Sequence, residues 1–329
     1  MITAPDFEKK QVVFVFFNEG EKMSILNDNF VIRREDGSIK LQCTCYRLFL
    51  VFAVGNFSIT SAVIQRAKKF GFFIACMTAG FHVYSIIGAV KDGNTLLKKR
   101  QYEYSDNDIG VHIIKNKIKN QRDILMLNRN KTDDIKESIY KIDKYLSLLN
   151  CGMTLSEIMA YEGLSAKIYF RSHFDNVLWN GRKPRLKQDY VNSALDVGYS
   201  ILFTFIDCLV ECYGFDTYVG VLHRQFYMRK SLVCDLVEPF RVIIDVQVKK
   251  GINLKQIKSD DFKIINNQYK LKYDKSAKYV KFFMDAIINE KDRIFGYIQS
   301  YYISFMKGLF ADDFPFFSIR GENFDNNKL

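Results

Sequence analysis

The chain has 329 residues, 48% of them hydrophobic and 15% aromatic, with 48 Lys and Arg against 37 Asp and Glu for a formal charge of +11. That apolar content excludes a disordered chain, and the length favours two domains over one small core. The charge and a pI near 9.1 suit a polyanionic partner, with a solvated basic surface as the alternative.

Pro5, Asp6 and Glu8 precede any apolar run, so Met1 to Phe14 is not expected to be a secretory leader. From there to residue 90 the chain is written as strands. Gln11 to Phe17 is β-branched and aromatic, with a turn at Asn18-Glu19-Gly20. Met23 to Ile32 is turned again at Asn27-Asp28-Asn29, so both turns predict hairpins. Gly37 to Cys45 alternates, Tyr46 to Val54 is apolar, and Ile59 to Phe70 changes to helical spacing. Phe72 to Thr78 and Phe81 to Ile87 follow as strands separated by Ala79-Gly80. Residues 1–90 thus predict a β-rich domain with one helix.

Residues 91–104 carry Lys98-Lys99-Arg100 and few apolar anchors, which predicts a linker. Residues 105–329 then read as an all-α domain, and the fold class as α+β. Its predicted helices are Ile109 to Leu127, Ile135 to Leu149, Thr154 to Leu178, Tyr190 to Tyr213 and Ala277 to Leu309. Gly214 is placed to end the fourth, and Gln256 to Tyr273 reads as an irregular or short hairpin excursion. The longest apolar segment, Ser193 to Tyr213, is broken by Asp196, Asp207 and Glu211, which predicts a core helix and no membrane span. Arg320 to Leu329 is expected to fray. Seven cysteines form no CxxC pair and cannot all close into disulfides, which predicts reduced thiols and a cytoplasmic protein.

Thr154-Leu155-Ser156-Glu157 is a capping box that starts a helix. Counting on, Leu155, Ile158, Met159, Glu162, Ala166 and Tyr169 share one stripe, which sets Glu162 within an apolar face. A buried carboxylate there needs a metal ion or a core-facing Lys or Arg. His223 ends the short apolar run Tyr218 to Leu222 and is a ligand or a hydrogen-bonded core residue. Asp235 and Glu238, three apart, fall on one face of a helix, where they are a solvated pair or ligands. Pro239 lacks an N–H and predicts a kink or a helix start. Basic side chains cluster at Lys115, Lys117, Lys119 and Arg122, and again in the Gly/Pro loop holding Arg182, Lys183, Arg185 and Lys187. Such a loop suits a phosphate backbone.

Several segments together resemble the CRISPR-associated adaptation integrases, the Cas-one family. They are Ile59-Thr60-Ser61, Lys117-Ile118-Lys119-Asn120-Gln121, Glu162-Gly163 with Ala166 and Tyr169-Phe170, and Asp189 with Asn192-Ser193-Ala194-Leu195 and Gly198-Tyr199. Gly220-Val221-Leu222-His223, Ser231-Leu232, Asp235-Leu236-Val237-Glu238 and Phe240-Arg241 complete the order. Between His223 and Ser231 the family often has Gly-Arg-Pro, whereas this chain reads Tyr227-Met228-Arg229-Lys230. The resemblance implies a β-domain that dimerises and a helical domain with the active site. It also implies Mg²⁺ or Mn²⁺ on the residues matching Glu162, His223 and Glu238, with Asp235 in support. Independently of it, the basic clusters offer Lys117, Arg182, Lys183 and Arg185 as DNA contacts. Implied partners are double-stranded and branched DNA, a second copy of the chain and a Cas-two family protein. The implied reaction is insertion of DNA fragments into a CRISPR repeat by transesterification, with nicking when water attacks. A non-enzymatic DNA-binding scaffold is the alternative. A helical metal-carboxylate oxidoreductase would need Glu-x-x-His pairs, which the chain lacks.

Overall fold

The computed structural model describes residues 3–89, 93–177, 179, 181–184, 186–223 and 227–321. The strand-rich half begins with a short helix, α1 (Ala4–Glu8), capped by Thr3, which adds to the single helix expected there. Then come β1 (Gln11–Phe16), β2 (Lys22–Leu26), β3 (Asn29–Arg33), β4 (Ile39–Thr44), β5 (Leu48–Val54), β6 (Ser58–Ile59), α2 (Ser61–Phe70), β7 (Phe73–Met77) and β8 (Val83–Gly88). They form two four-stranded sheets, ordered β1-β5-β7-β8 and β4-β3-β2-β6.

The hairpin expected at Asn27-Asp28-Asn29 forms between β2 and β3, with Asn27 and Asp28 at φ 48° and 55° as a primed turn requires. The one expected at Asn18-Glu19-Gly20 does not. There the turn passes the chain from one sheet to the other: β1 pairs in parallel with β5, and β2 pairs with β3 and β6. All seven residues of β5 are buried, as an inner strand covered on both faces must be. Val51 and Ala53 face Val63 and Ala67 of α2, whereas Phe49 and Phe52 join the core of the helical half.

The segment expected to be a linker holds a helix, α3 (Thr95–Glu103), with Leu97 and Gln101 buried. Gln101 accepts the Asp216 N–H at 2.8 Å and donates to the Asp216 carbonyl at 3.1 Å, which fastens the helix to the body. The helical half continues with α4 (Asp108–Met126), α5 (Asp133–Leu148), α6 (Leu155–His173) and α7 (Tyr190–Tyr213). Both bonds of the Thr154–Glu157 capping box are present, and Gly214 at φ 82° ends α7. By length and composition α7 could cross a membrane, but 83% of its apolar window is buried inside the fold. Its Phe205 meets Phe49 of β5 edge-on at 5.9 Å, so the two halves share one core.

Beyond α7 lie α8 (Ser231–Val237), a 3-10 turn at Glu238–Phe240 and α9 (Arg241–Asn253). Pro239 therefore divides the helix as its missing N–H predicts, and the Glu238 N–H satisfies the Asp235 carbonyl within the tighter turn. A hairpin of β9 (Phe262–Ile265) and β10 (Gln268–Leu271) interrupts the otherwise helical half. The single helix expected from Ala277 to Leu309 is two, α10 (Tyr273–Asn289) and α11 (Lys291–Lys307), divided at Glu290. None of the seven cysteines, all among the described residues, is in a disulfide. Residues 322–329, within the expected frayed tail, lie outside the described residues.

Candidate active site

Asp235 on α8 is fully buried and serves as an anchor. Its Oδ2 accepts the N–H groups of Val221 and Leu222 at 2.7 and 3.0 Å, and its Oδ1 accepts the N–H of His223 at 2.9 Å. The same Oδ1 lies 2.5 Å from His223 Nδ1. A carboxylate there accepts a hydrogen bond from Nδ1–H, which leaves Nε2 as the ring nitrogen with a free lone pair. Gly220 makes room for this arrangement, since a Cβ at that position would sit 2.5 Å from Asp235 Oδ2. Thus the chain just before His223 is wrapped around one carboxylate.

Three residues further on, Glu238 faces a different neighbourhood. Its Oε2 is 2.7 Å from Lys117 Nζ and its Oε1 is 3.0 Å from Arg241 Nε. Lys117, on α4, also donates a hydrogen bond to Glu162 Oε1 on α6. Burial opposes ionisation of Glu238, but Arg241 and Lys117 together hold its carboxyl down at about 2. Burial pulls the Lys117 ammonium the other way, and Glu238 and Glu162 outweigh it. The expected alternative for Glu162, an ion pair with a core-facing lysine, is therefore present. Asn120 of α4 binds the Pro239 carbonyl at 3.2 Å, so one helix both neutralises and positions the turn that carries Glu238.

The expected metal cage is not assembled as such: among the described residues no three His, Cys, Asp or Glu stand close enough together to hold a metal ion. Lys117 Nζ takes the point on which the two glutamates converge. Two features nevertheless suit a divalent ion. Glu162 and Glu238 share one cation position, and buried Glu238 Oε2 has no hydrogen bond of proper geometry despite its ionic contact. Carboxylate oxygens with one imidazole nitrogen are the donors that Mg²⁺ or Mn²⁺ accepts.

Lys117, Glu162, Glu238 and Arg241 line a cleft of about 2000 Å³, wider than the usual small-molecule pocket. Its rim carries Lys167, Arg171, Lys183 and Lys187. Lys167 and Arg171 lie one turn apart on the exposed side of α6, a spacing that sequence reasoning could have found but did not. Lys117, expected to contact DNA, is instead buried between carboxylates. Arg182 also turns inward, to Asn192 at 3.0 Å and Asp196 at 2.6 Å. Lys183 lies at the cleft and binds Gln188 at 2.9 Å. Arg185 lies outside the described residues. Arg241, given no role from the sequence, is signalled by its i,i+3 spacing from Glu238.

Beneath Arg241 the fully buried Asp245 accepts a hydrogen bond from the Tyr199 hydroxyl. Burial pushes its carboxyl up to about 6, against the Tyr199 bond. The folded chain then holds this proton more tightly than the unfolded one. The resulting stability is full below about pH 3.8 and is lost as pH rises through about 6. Asp245→Asn removes the ionisation. Between about pH 4 and pH 7 the stability difference is expected to move in the variant's favour by about 3 kcal/mol, read by urea unfolding at each pH.

The family model described as "CRISPR associated protein Cas1" matches residues 14–285. A CRISPR-associated endonuclease Cas1 of Leptospira interrogans serogroup Icterohaemorrhagiae serovar Lai (strain 56601) is 36% identical over 181 residues, which cover 50% of this chain and 70% of that one. Among solved structures, a casposase bound to integration product superposes with a TM-score of 0.74 at 20% identity, covering 97% of each chain. A Cas6-RT-Cas1–Cas2 complex superposes with a TM-score of 0.77 at 18% identity, covering 93% of this chain and 36% of that one. With the family model spanning most of its length and the strand-then-helix architecture shared with these structures, the chain belongs to the CRISPR-associated Cas1 family.

Proposed function

We propose that the protein is a metal-dependent DNA integrase and endonuclease that joins the 3′-hydroxyl of a foreign DNA fragment to a phosphate of a CRISPR repeat. The observation that carries this reading is the convergence of Glu162 and Glu238 on one cation position in a wide, basic cleft. Glu162, His223 and Glu238 would hold Mg²⁺ or Mn²⁺, which when bound would lower the pKa of the attacking hydroxyl and neutralise charge at the phosphate. Asp235 fixes the His223 ring and its tautomer, and Arg241 keeps Glu238 anionic. Lys167, Arg171, Lys183 and Lys187 give the cleft rim the charge to follow a phosphate backbone. Exchange of one phosphodiester for another needs no external energy source. The reverse reaction on branched DNA and nicking by water follow from the same chemistry.

The fold similarity to a complex containing Cas2 supports a Cas2 family partner, and a homodimer through the β-rich half belongs to the same reading. Cysteines outside disulfides suit a cytoplasmic setting. The test is a strand-transfer assay with labelled fragment and a supercoiled repeat-bearing target, in Mn²⁺ or in EDTA. Joining is expected in Mn²⁺ alone. Glu162→Ala is expected to reduce it about a hundredfold or more, with melting temperature and DNA binding nearly unchanged. Unchanged joining together with a lowered melting temperature would favour a DNA-binding scaffold instead.

A further inference from the structure

Lys117 has an uncommon position for a lysine, buried in a cleft floor between two carboxylates from different elements. We propose that Lys117 is an exchangeable counter-ion: its ammonium holds the place between Glu162 and Glu238 that the divalent ion takes, so that metal binding is an exchange of one cation for another. The inference rests on the metal reading of this site. Two neighbouring carboxylates cannot both stay ionised out of water without a cation between them. An ammonium provides one charge on a flexible four-carbon stem, which can withdraw without moving the backbone. The backbone of α4 is itself held, by Asn116 and Asn120 bound to the Phe317 carbonyl at 2.7 and 2.9 Å.

The two cations on Glu238 divide into a permanent and a replaceable one. Arg241 follows Glu238 by one turn and reaches Oε1, so that carboxylate keeps a partner when Lys117 leaves. Lys117 meets Oε2 at 2.7 Å without hydrogen-bond geometry, and its one aligned bond is to Glu162. Lys117, Glu162 and Glu238 all border the cleft, which gives the side chain somewhere to go. A lysine in this place keeps the apo site folded, and it raises the metal concentration at which the site fills.

The experiment is Mn²⁺ binding followed by electron paramagnetic resonance, at constant ionic strength and without DNA. The native chain is compared with Glu162→Gln, Lys117→Met and Lys117→Arg. Glu162→Gln is expected to weaken binding; equal binding by it and the native chain would overturn the metal reading itself. Lys117→Met is expected to bind Mn²⁺ about tenfold more tightly or better, because a competing charge at contact distance is gone. Its melting temperature is expected to start lower and to rise further on Mn²⁺ addition than that of the native chain. Native or weaker affinity in Lys117→Met, with binding lost in Glu162→Gln, would overturn the exchange and leave the metal reading standing. Should Lys117→Met not fold, Lys117→Arg decides. Its forked, always charged guanidinium should hold both carboxylates harder and weaken Mn²⁺ binding about tenfold, and native affinity there would overturn the proposal.

Discussion

Asp235→Ala is expected to lower folding stability by about 4 kcal/mol or more and to leave DNA joining at background. The Asp235 carboxylate accepts three backbone N–H groups and faces the imidazole of His223, all from the run Val221 to His223. It is fully buried, so removing it leaves several donors without water to turn to. Each such donor costs roughly 1–3 kcal/mol. The catalytic loss comes by another route. Without Asp235 the His223 ring has no partner on Nδ1, and nothing selects the tautomer whose Nε2 can act as a ligand. Asp235→Asn separates the two effects. One amide oxygen still accepts part of the loop, so the stability loss should shrink, while the amide NH₂ cannot accept a hydrogen bond from Nδ1–H and joining should remain defective. Urea unfolding and the strand-transfer assay read the two quantities independently. Native joining in Asp235→Asn would remove the positioning role.

Local rules were legible where one short stretch of chain decides the outcome. The Thr154–Glu157 capping box, the Asn27-Asp28 turn, the Pro239 break and the Gly214 stop all depend on a few consecutive residues. Partner choice does not. Asn18-Glu19-Gly20 turns the chain, but β1 finds its partner in β5, with Val12 opposite Leu50, and as the edge strand it helps cover β5, an inner strand buried along its whole length. The break at Glu290 was invisible for the opposite reason: no Pro or Gly marks it. The predicted linker is helical because Asn94 caps it and Gln101 finds polar partners near Asp216, far along the chain. At the site, residue types were readable and geometry was not. The stripe placed Glu162 within an apolar face. It lies instead at a cleft edge, with the adjacent Met159 40% exposed, and its counter-ion comes from α4, 45 residues earlier.

The second large effect separates two carboxylates that chemistry alone would treat alike. Glu238→Ala is expected to cost about 3–5 kcal/mol in stability as well as joining. Glu162→Ala should cost joining with little loss of fold. Glu238 is only 5% exposed, and its anion is set between Lys117 and Arg241. Its removal strips Arg241 of that ion pair and leaves excess positive charge in the cleft floor. Glu162 stands nearer the cleft, and when it is removed Lys117 keeps Glu238. The comparison is made by urea unfolding in EDTA, so that no metal binding contributes. Equal losses would mean that Glu162 carries as much of the buried charge balance as Glu238. A much larger loss in Glu238→Ala would place the structural burden on the turn formed by Pro239, where the chain gives its most deeply buried carboxylate of the pair a permanent arginine.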